Sequence, residues 1–143
     1  MSGTPDAERR ALLAWCARRG VAPPALLEVV AVVDSTNSAL LRAHTPRDGL
    51  AVMLADAQHG GRGRLGRTWA SPPGANLYLS VSRCFDGGLE RLAGLGLVAG
   101  VAVAQVVHRL GAPQVRVKWP NDLVVEDGPR LRKLGGILVE GGL

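Results

Sequence analysis

A segment that alternates glycine with arginine, Gly61-Arg62-Gly63-Arg64-Leu65-Gly66-Arg67, carries the clearest chemical signal in the chain. Glycine lets backbone N–H groups come close to a ligand, and the arginine guanidinium is a planar fork that matches a phosphate or a carboxylate. The segment therefore predicts a loop that binds an anion. A solvated basic loop without a ligand is the alternative at this point.

The glycine spacing of this segment also bears on two nucleotide-binding motifs. Gly61-x-Gly63-x-x-Gly66 has the letters of the dinucleotide fingerprint, which needs a helix at the loop and an acidic residue about 20 positions later. The residues that follow, Thr68-Trp69-Ala70-Ser71-Pro72-Pro73, are not those of a helix. Because no Gly-Lys-Ser/Thr closes the segment either, the sequence argues against both a Rossmann motif and a P-loop.

Two further segments place cations beside turn residues. Lys118-Trp119-Pro120-Asn121-Asp122 brings together a lysine, an amide and a carboxylate, a set that suits a phosphate and its metal ion. An Asn-Asp turn with a surface ion pair is the alternative. Lys133 precedes Gly135 and Gly136, which permit close backbone approach, and then an apolar stretch. Taken alone, a lysine in this setting is most often a solvated side chain.

Ser35-Thr36-Asn37 follows an apolar run and precedes a helical pattern. Such a turn presents hydroxyls together with the backbone N–H groups of a helix start, which could bind a ligand, although a plain helix cap is the alternative. The three histidines, His44, His59 and His108, have no serine, cysteine or carboxylate partner at a recognisable spacing. We therefore expect neither a catalytic triad nor a metal centre.

The apolar periodicities around these segments predict an α+β fold in which a mixed, mostly antiparallel sheet packs against helices. A first helix is expected from Thr4-Pro5-Asp6 to Gly20, a second from Ser38 until Pro46 closes it, and a long apolar helix over Leu89–Leu110. Strands are expected at Val29–Val33, Leu50–Ala55, Leu77–Ser82, Val115–Trp119, Leu123–Val125 and Ile137–Val139, with a hairpin over Glu126–Leu131.

The composition narrows the class of protein. With 47% hydrophobic and 20% charged residues among 143, the chain is globular, and its net charge of +5 favours anionic partners. Three Trp, one Tyr and one Phe are too few to favour base stacking. Cys16 and Cys84 suggest neither a disulfide framework nor a zinc site. A signal pattern and a bilayer-length apolar stretch are both lacking, so a soluble, cytoplasmic protein is expected.

The order and spacing of four motifs resemble those of the biotin protein ligase family. The motifs are Ser35-Thr36-Asn37, Gly61–Arg67, Lys118–Asp122 and Lys133–Leu138, with further matches in Trp69–Pro72 and Gly74–Ser80. The resemblance implies a cofactor-transferase, class II synthetase-like catalytic domain, of which residues 29–143 would be the N-terminal part after a helical lead-in over residues 1–28. The family's domain continues past the last motif, so the resemblance also implies a domain that is incomplete at its C-terminus.

The function implied by this resemblance is the activation of biotin with ATP and Mg²⁺ to biotinyl-5'-AMP and its transfer to a lysine of a biotin carboxyl carrier domain. Carried over residue by residue, the catalytic residues would be Arg64, Lys133 and Asp122. Biotin would contact Ser35, Thr36, Asn37, Gln58, Gly61, Arg62, Gly63, Arg64, Lys133 and Gly136. The nucleotide would contact Arg64, Arg67, Trp69, Lys118 and Asn121, and no residue is assigned as a metal ligand. A homodimer is compatible with this function, whereas nucleic acid and membrane are not expected partners.

Three alternatives stay open. The first is a lipoate ligase or octanoyltransferase of the same superfamily, against which Gly61–Arg67 and Lys118–Asp122 argue. The second is a truncated remnant that binds biotin without activity. The third is a basic nucleic-acid-binding module that uses the arginine–glycine loop on phosphates.

Overall fold

The structure, a computed structural model, describes residues 3–141, and the chain divides into two compact units, Met1–Asp86 and Gly87–Leu143. In the first unit, helix α1 spans Pro5–Arg19. The side chain of Thr4 caps its start, and Gly20 ends it in the left-handed conformation with φ of 63°. The side chain of Arg9 fixes α1 to the following strand, because its Nε donates to the carbonyl of Leu27 over 2.9 Å. The predicted first helix is confirmed.

The sheet of the first unit contains β1 (Leu26–Val33), β2 (Ala51–Gln58) and β3 (Tyr78–Ser82) in the order β1-β2-β3. β1 and β2 are parallel, and β3 is antiparallel to β2. Helix α2 (Thr36–Arg42) connects β1 to β2 and packs Leu40 against Ala51 and Met53. All three strands were predicted, but β1 begins three residues before Val29 and β2 runs on to Gln58. α2 ends at Arg42, well before Pro46.

In β3 the polar side chains face inward and the apolar ones face outward, the reverse of an ordinary half-buried strand. Tyr78 and Ser80 are buried, while Leu79 and Val81 remain 46% and 54% exposed. The polar atoms of the inward side have partners, since the hydroxyl of Tyr78 donates to the carbonyl of Pro72 and Ser80 bonds to α2. Hydrogen bonding therefore offsets the desolvation cost of this polar face.

The second unit contains helix α3 (Leu95–Arg109) and the antiparallel strands β4 (Val115–Lys118), β5 (Asp122–Asp127) and β6 (Arg130–Gly136). The helix predicted over Leu89–Leu110 is interrupted, because Gly94 adopts a φ of 88° between a short 3-10 turn and α3. Gly100 allows α3 close to the sheet: a Cβ there would lie 3.3 Å from Cγ1 of Val117.

The prediction of a last strand at Ile137–Val139 is wrong. The final strand described in the structure is β6, which ends at Gly136, and the predicted hairpin over Glu126–Leu131 is present as the turn between β5 and β6. The α+β class is confirmed. Within residues 3–141 the strands form two three-stranded sheets, one mixed and one antiparallel, rather than a single sheet. Over the same residues, no helix has the length and apolar character that crossing a membrane requires.

Candidate functional site

The turn Ser35-Thr36-Asn37 lies where β1 passes into α2. Ser35 is the N-cap residue of α2, and its Oγ accepts from the backbone N–H of Ser38. Ser35 and Thr36 are both buried, although polar side chains in turns are usually exposed. The helix cap gives the buried hydroxyl of Ser35 a hydrogen-bond partner. The buried polar groups of Thr36 need hydrogen-bond partners from elsewhere in the fold.

Gln58, the last residue of β2, supplies those partners. Its Oε1 accepts from both the backbone N–H and the hydroxyl of Thr36, at 2.8 and 3.1 Å. Its Nε2 donates to Oγ of Ser71 over 3.0 Å. From β3, Oγ of Ser80 lies 2.7 Å from Oγ1 of Thr36 and also bonds to Oδ1 of Asn37. We call Ser35, Thr36, Gln58, Ser71 and Ser80 the polar cluster.

Ser71 and Ser80 lie in the matched segments Trp69–Pro72 and Gly74–Ser80, but no site role was predicted for either residue. A signal for Ser80 existed in the alternation of β3, where a serine between Leu79 and Val81 occupies the inward side. Ser71 had no such signal, because it belongs to an irregular segment between the loop and β3. Only the folded chain brings both hydroxyls to Thr36 and Gln58.

The arginine–glycine loop is a small hairpin. An isolated bridge pairs Arg62 with Thr68, the N–H of Gly63 donates to the carbonyl of Arg67 over 2.7 Å, and that of Trp69 donates to Gly61 over 2.9 Å. At the tip, Leu65 has a φ of 58° and is 90% exposed. The predicted loop thus has a defined backbone, and Arg62, Arg64 and Arg67 lie on its exposed surface.

Gly61 joins the loop to the polar cluster. A Cβ at this buried position would lie 2.6 Å from the carbonyl oxygen of Trp69, 2.8 Å from Oγ of Ser71 and 3.2 Å from Nε2 of Gln58. The first two distances are shorter than any normal carbon–oxygen contact. Glycine is therefore required here by packing against the hydrogen-bonded groups of the cluster.

Asp34 holds the base of the same turn. Its two carboxylate oxygens bond to Nη1 and Nη2 of Arg42 at 2.8 and 2.9 Å, and its backbone carbonyl accepts from the N–H of Gly60 over 2.7 Å. The hydrogen bonds from the Arg42 side chain hold the pKa of the Asp34 carboxyl well below its usual value. This pair ties α2 to the strand end from which the Ser35-Thr36-Asn37 turn departs.

The second unit carries a separate charged cluster. Nζ of Lys133 lies 2.6 Å from Oδ1 of Asp122, and both side chains are partly exposed. In the strand register, Asp122 is opposite Lys118 on one side and Gly136 on the other. A Cβ on Gly136 would lie 3.2 Å from Cε and Nζ of Lys133, so the missing side chain leaves room for the ammonium group.

Asn121 has a structural role in this unit. Its Nδ2 donates to the carbonyl of Ile137 over 2.8 Å, and its own carbonyl accepts from the N–H of Ile137 over 2.9 Å. The Trp119–Pro120 peptide bond, one residue before this turn residue, is cis. The two hydrogen bonds between Asn121 and Ile137 hold the turn between β4 and β5 against the segment that follows β6.

The structure thus brings the sequence-predicted residues together in two sets. The first unit holds Ser35, Thr36 and Gln58 in the polar cluster and Asn37 and Gly61 beside it. The adjoining hairpin carries Arg62, Gly63, Arg64, Arg67 and Trp69. The second unit holds Lys118, Asn121, Asp122, Lys133 and Gly136. Within residues 3–141 there is no group of three or more His, Cys, Asp or Glu that could hold a metal ion.

The fold and these sites define an α+β protein built around buried hydrogen-bonding groups and exposed cations, which suits a small polar ligand with an anionic part. The chain belongs to the biotin/lipoate A/B protein ligase family, whose sequence model matches residues 29–142.

Individual relatives agree with this membership. The bifunctional ligase/repressor BirA of Escherichia coli strain K12 is 51% identical over 113 residues, which are 78% of this chain and 34% of BirA. The structure of biotin protein ligase from Aquifex aeolicus in complex with biotin and ATP has a TM-score of 0.64 at 32% identity, over 81% of this chain and 47% of that one. Biotin protein ligase from Leishmania major in complex with biotinyl-5-AMP has a TM-score of 0.63 at 29% identity, over 84% and 53%. This chain therefore spans between a third and about half of these relatives.

Proposed function

We propose that this chain carries part of the catalytic site of a biotin protein ligase, which converts biotin and ATP to biotinyl-5'-AMP and then transfers biotin to a lysine of a carboxyl carrier domain. The observation that carries the proposal is the buried polar cluster beside Gly61, in a chain similar to a biotin protein ligase solved with biotin and ATP. The cluster would bind the ring end of biotin, and the cations would serve its carboxylate and the nucleotide.

The polar cluster suits a cyclic urea. Such a ring has one carbonyl acceptor and two N–H donors, so its binding site must offer both kinds of partner. Ser35, Thr36 and Gln58 of the cluster, together with the adjoining Asn37, supply hydroxyl and amide groups of both kinds. Hydrogen bonds hold these groups in place. Fixed, partly buried polar groups favour a ligand that completes their hydrogen bonds, because an unmatched group loses its hydration without compensation.

In the proposed first step, a carboxylate oxygen of biotin forms a bond to the α-phosphorus of ATP, and the bond to the β-phosphate oxygen breaks to release pyrophosphate. Two anions must approach each other, so positive side chains lower the barrier. We assign this role to Arg64 on the loop of the first unit and to Lys133 in the second. Arg62, Gly63 and Gly136 would bind the biotin carboxylate side, and the nucleotide would contact Arg67, Trp69, Lys118 and Asn121.

In the proposed second step, the ε-amine of the acceptor lysine attacks the carbonyl carbon of the mixed anhydride, and AMP leaves. We assign to Asp122, whose carboxylate bonds to the ammonium group of Lys133, the acceptance of the proton that the attacking amine loses. Water must be excluded from the anhydride in the meantime. The Gly61–Arg67 hairpin, with its exposed tip, is the segment we assign to that covering role.

The residues also fit Mg²⁺ delivered with ATP. Magnesium in nucleotide sites usually keeps several waters and binds through one or two carboxylates together with phosphate oxygens. Asp122 can supply such a carboxylate, and a site of this kind does not require the cluster of three protein ligands that residues 3–141 lack. When bound, the ion would neutralise phosphate charge.

The test is to incubate the chain with biotin, ATP, Mg²⁺ and an acceptor domain and to measure the acceptor mass and the pyrophosphate released. Arg64→Ala should keep the fold and reduce pyrophosphate release about 100-fold or more, the usual effect of removing one transition-state donor. Arg47→Ala, an exposed arginine of the same unit outside the loop, is the control. Wild-type rates in Arg64→Ala would refute the assignment.

Lipoate is the competing ligand within the family, whose name covers both cofactors. A dithiolane ring has no urea and leaves the polar cluster without its matching acceptor and donors. Biotin should therefore raise the thermal midpoint of the chain, while lipoate at the same concentration should leave it unchanged. A shift with lipoate alone would replace the biotin proposal with a lipoate one.

A further inference from the structure

The orientation of the Gln58 side-chain amide is fixed by one backbone group. An amide has an oxygen and a nitrogen end that can exchange places, and the choice is settled by the partners. The backbone N–H of Thr36 can only donate, and it lies 2.8 Å from the nearer end of the Gln58 amide. That end must therefore be Oε1, and Nε2 must face the opposite way.

The orientation of the Gln58 amide also fixes the direction of the hydrogen bonds of Ser71. Nε2 of Gln58 is a donor, so Oγ of Ser71, 3.0 Å away, must accept from it. The hydroxyl proton of Ser71 is then directed to the carbonyl of Trp69, at 3.2 Å. Ser71 is 7% exposed, which shields both bonds from water. The hydrogen bonds thus run in one direction, from the amide of Gln58 to the hydroxyl of Ser71 and from there to the carbonyl of Trp69.

The same bonds decide what Gln58 can offer to a ligand. Both acceptor positions of Oε1 are occupied, by the N–H and the hydroxyl of Thr36. One of the two N–H groups of Nε2 is occupied by Ser71. The remaining hydrogen-bonding capacity of Gln58 is therefore one N–H donor.

We propose that Ser71 is a positioning residue that holds the amide of Gln58 so that it presents this N–H to a carbonyl acceptor of the ligand. The identity of the ligand rests on the proposed function, under which that acceptor is the urea oxygen of biotin. Ser71 does not touch the ligand in this scheme. It acts through Gln58, and it couples Gln58 to the loop because Trp69 also donates its N–H to Gly61.

The first test needs no variant. In the NMR spectrum of the wild-type chain, one Nε2 proton of Gln58 should show nuclear Overhauser contacts to the β-protons of Ser71 and exchange slowly with water. Rapid exchange of both protons without such contacts would overturn the positioning role, whatever the chain binds.

The second test is a double-mutant cycle on biotin affinity, measured by titration calorimetry. Ser71→Ala should weaken binding about 3- to 10-fold, the effect of one hydrogen bond. In the Gln58→Ala background, Ser71→Ala should have no further effect, because its route to the ligand is gone. Additive losses would show that Ser71 acts by another route and would overturn the inference.

An analogue separates positioning from general damage to the site. Protonated 2-iminobiotin carries a guanidinium in place of the urea and has no carbonyl oxygen, so Ser71→Ala should not change its affinity. An equal loss for both ligands would point to a structural role and refute the proposal. A wild-type chain that shows the Gln58–Ser71 contact but binds no biotin would refute the proposed function and still support the positioning role.

Discussion

Replacement of Gly61 by alanine is the sharpest perturbation of the candidate site that the structure allows. The added methyl would lie 2.6 Å from the carbonyl oxygen of Trp69 and 2.8 Å from Oγ of Ser71. Both atoms must move by several tenths of an ångström or more, and the bonds of Ser71 to Trp69 and Gln58 depend on their present positions. Two hydrogen bonds at about 0.5–1.5 kcal/mol each give a loss of about 1–3 kcal/mol, which matches the usual cost of overpacking.

The assay is urea unfolding followed by the fluorescence of Trp69, in a protein in which the other two tryptophans are replaced by phenylalanine. Gly63→Ala is the matched control, because a Cβ there meets Arg67 no closer than 3.6 Å and its φ of −107° suits alanine. The control should be as stable as the parent protein or gain about 0.4–1 kcal/mol. Equal unfolding free energies for Gly61→Ala and Gly63→Ala would contradict the close packing of Gly61 against Trp69 and Ser71.

Three further predictions concern the charged groups. Lys133→Met should change the unfolding free energy by less than about 1 kcal/mol, as expected for a partly exposed ion pair with Asp122, yet reduce pyrophosphate release about 100-fold or more. Gly136→Ala should displace the Lys133 ammonium by a few tenths of an ångström, so pyrophosphate release should fall while the urea midpoint stays constant; an unchanged rate would refute the need for glycine. Asp34→Asn should flatten the dependence of the melting temperature on pH. The carboxyl pKa is lowered in the folded chain by Arg42, so the pair stabilises the fold above the ordinary value of 3.8, and this contribution declines as the pH falls below it. Identical melting profiles from about pH 7 to about pH 3 would contradict that role.

Local signals in the sequence were sufficient for elements whose ends are capped. The helix start at Thr4, its stop at Gly20 and the passage from β1 into α2 at Ser35 all follow from side-chain caps and a left-handed glycine, which act within a few residues. The break at Gly94 was missed, because the apolar pattern continues on both sides and only the left-handed backbone of that residue ends the helix. Boundaries that depend on sheet pairing, such as the extension of β2 to Gln58, also required the partner strands.

The contiguous motifs of the candidate site can be recognised in the sequence, whereas the contacts between its distant residues cannot. Thr36 and Gln58 are 22 positions apart, and Thr36 and Ser80 are 44 apart, so no local spacing relates them. Their contact follows from the parallel pairing of β1 with β2 and the antiparallel pairing of β2 with β3. Ser71 is the extreme case, since its role depends on a side chain that pairing alone does not place.

The pair of Lys133 and Asp122 depends on an irregularity in the pairing of β5 with β6. A regular alternation of side chains along β6 would not bring Lys133 and Gly136 to the same face. With a regular two-residue period, Lys133 and Gly136 would lie on opposite faces of β6. The ladder instead pairs Leu123 with Gly135 and Val124 with Lys133, which leaves one extra residue on β6. Residues paired across strands share a face, so this bulge places Lys133 on the side of Asp122 and Gly136. The lysine reaches its carboxylate because the strand is irregular at that point, and the glycine opposite Asp122 then provides the space that the ammonium group occupies.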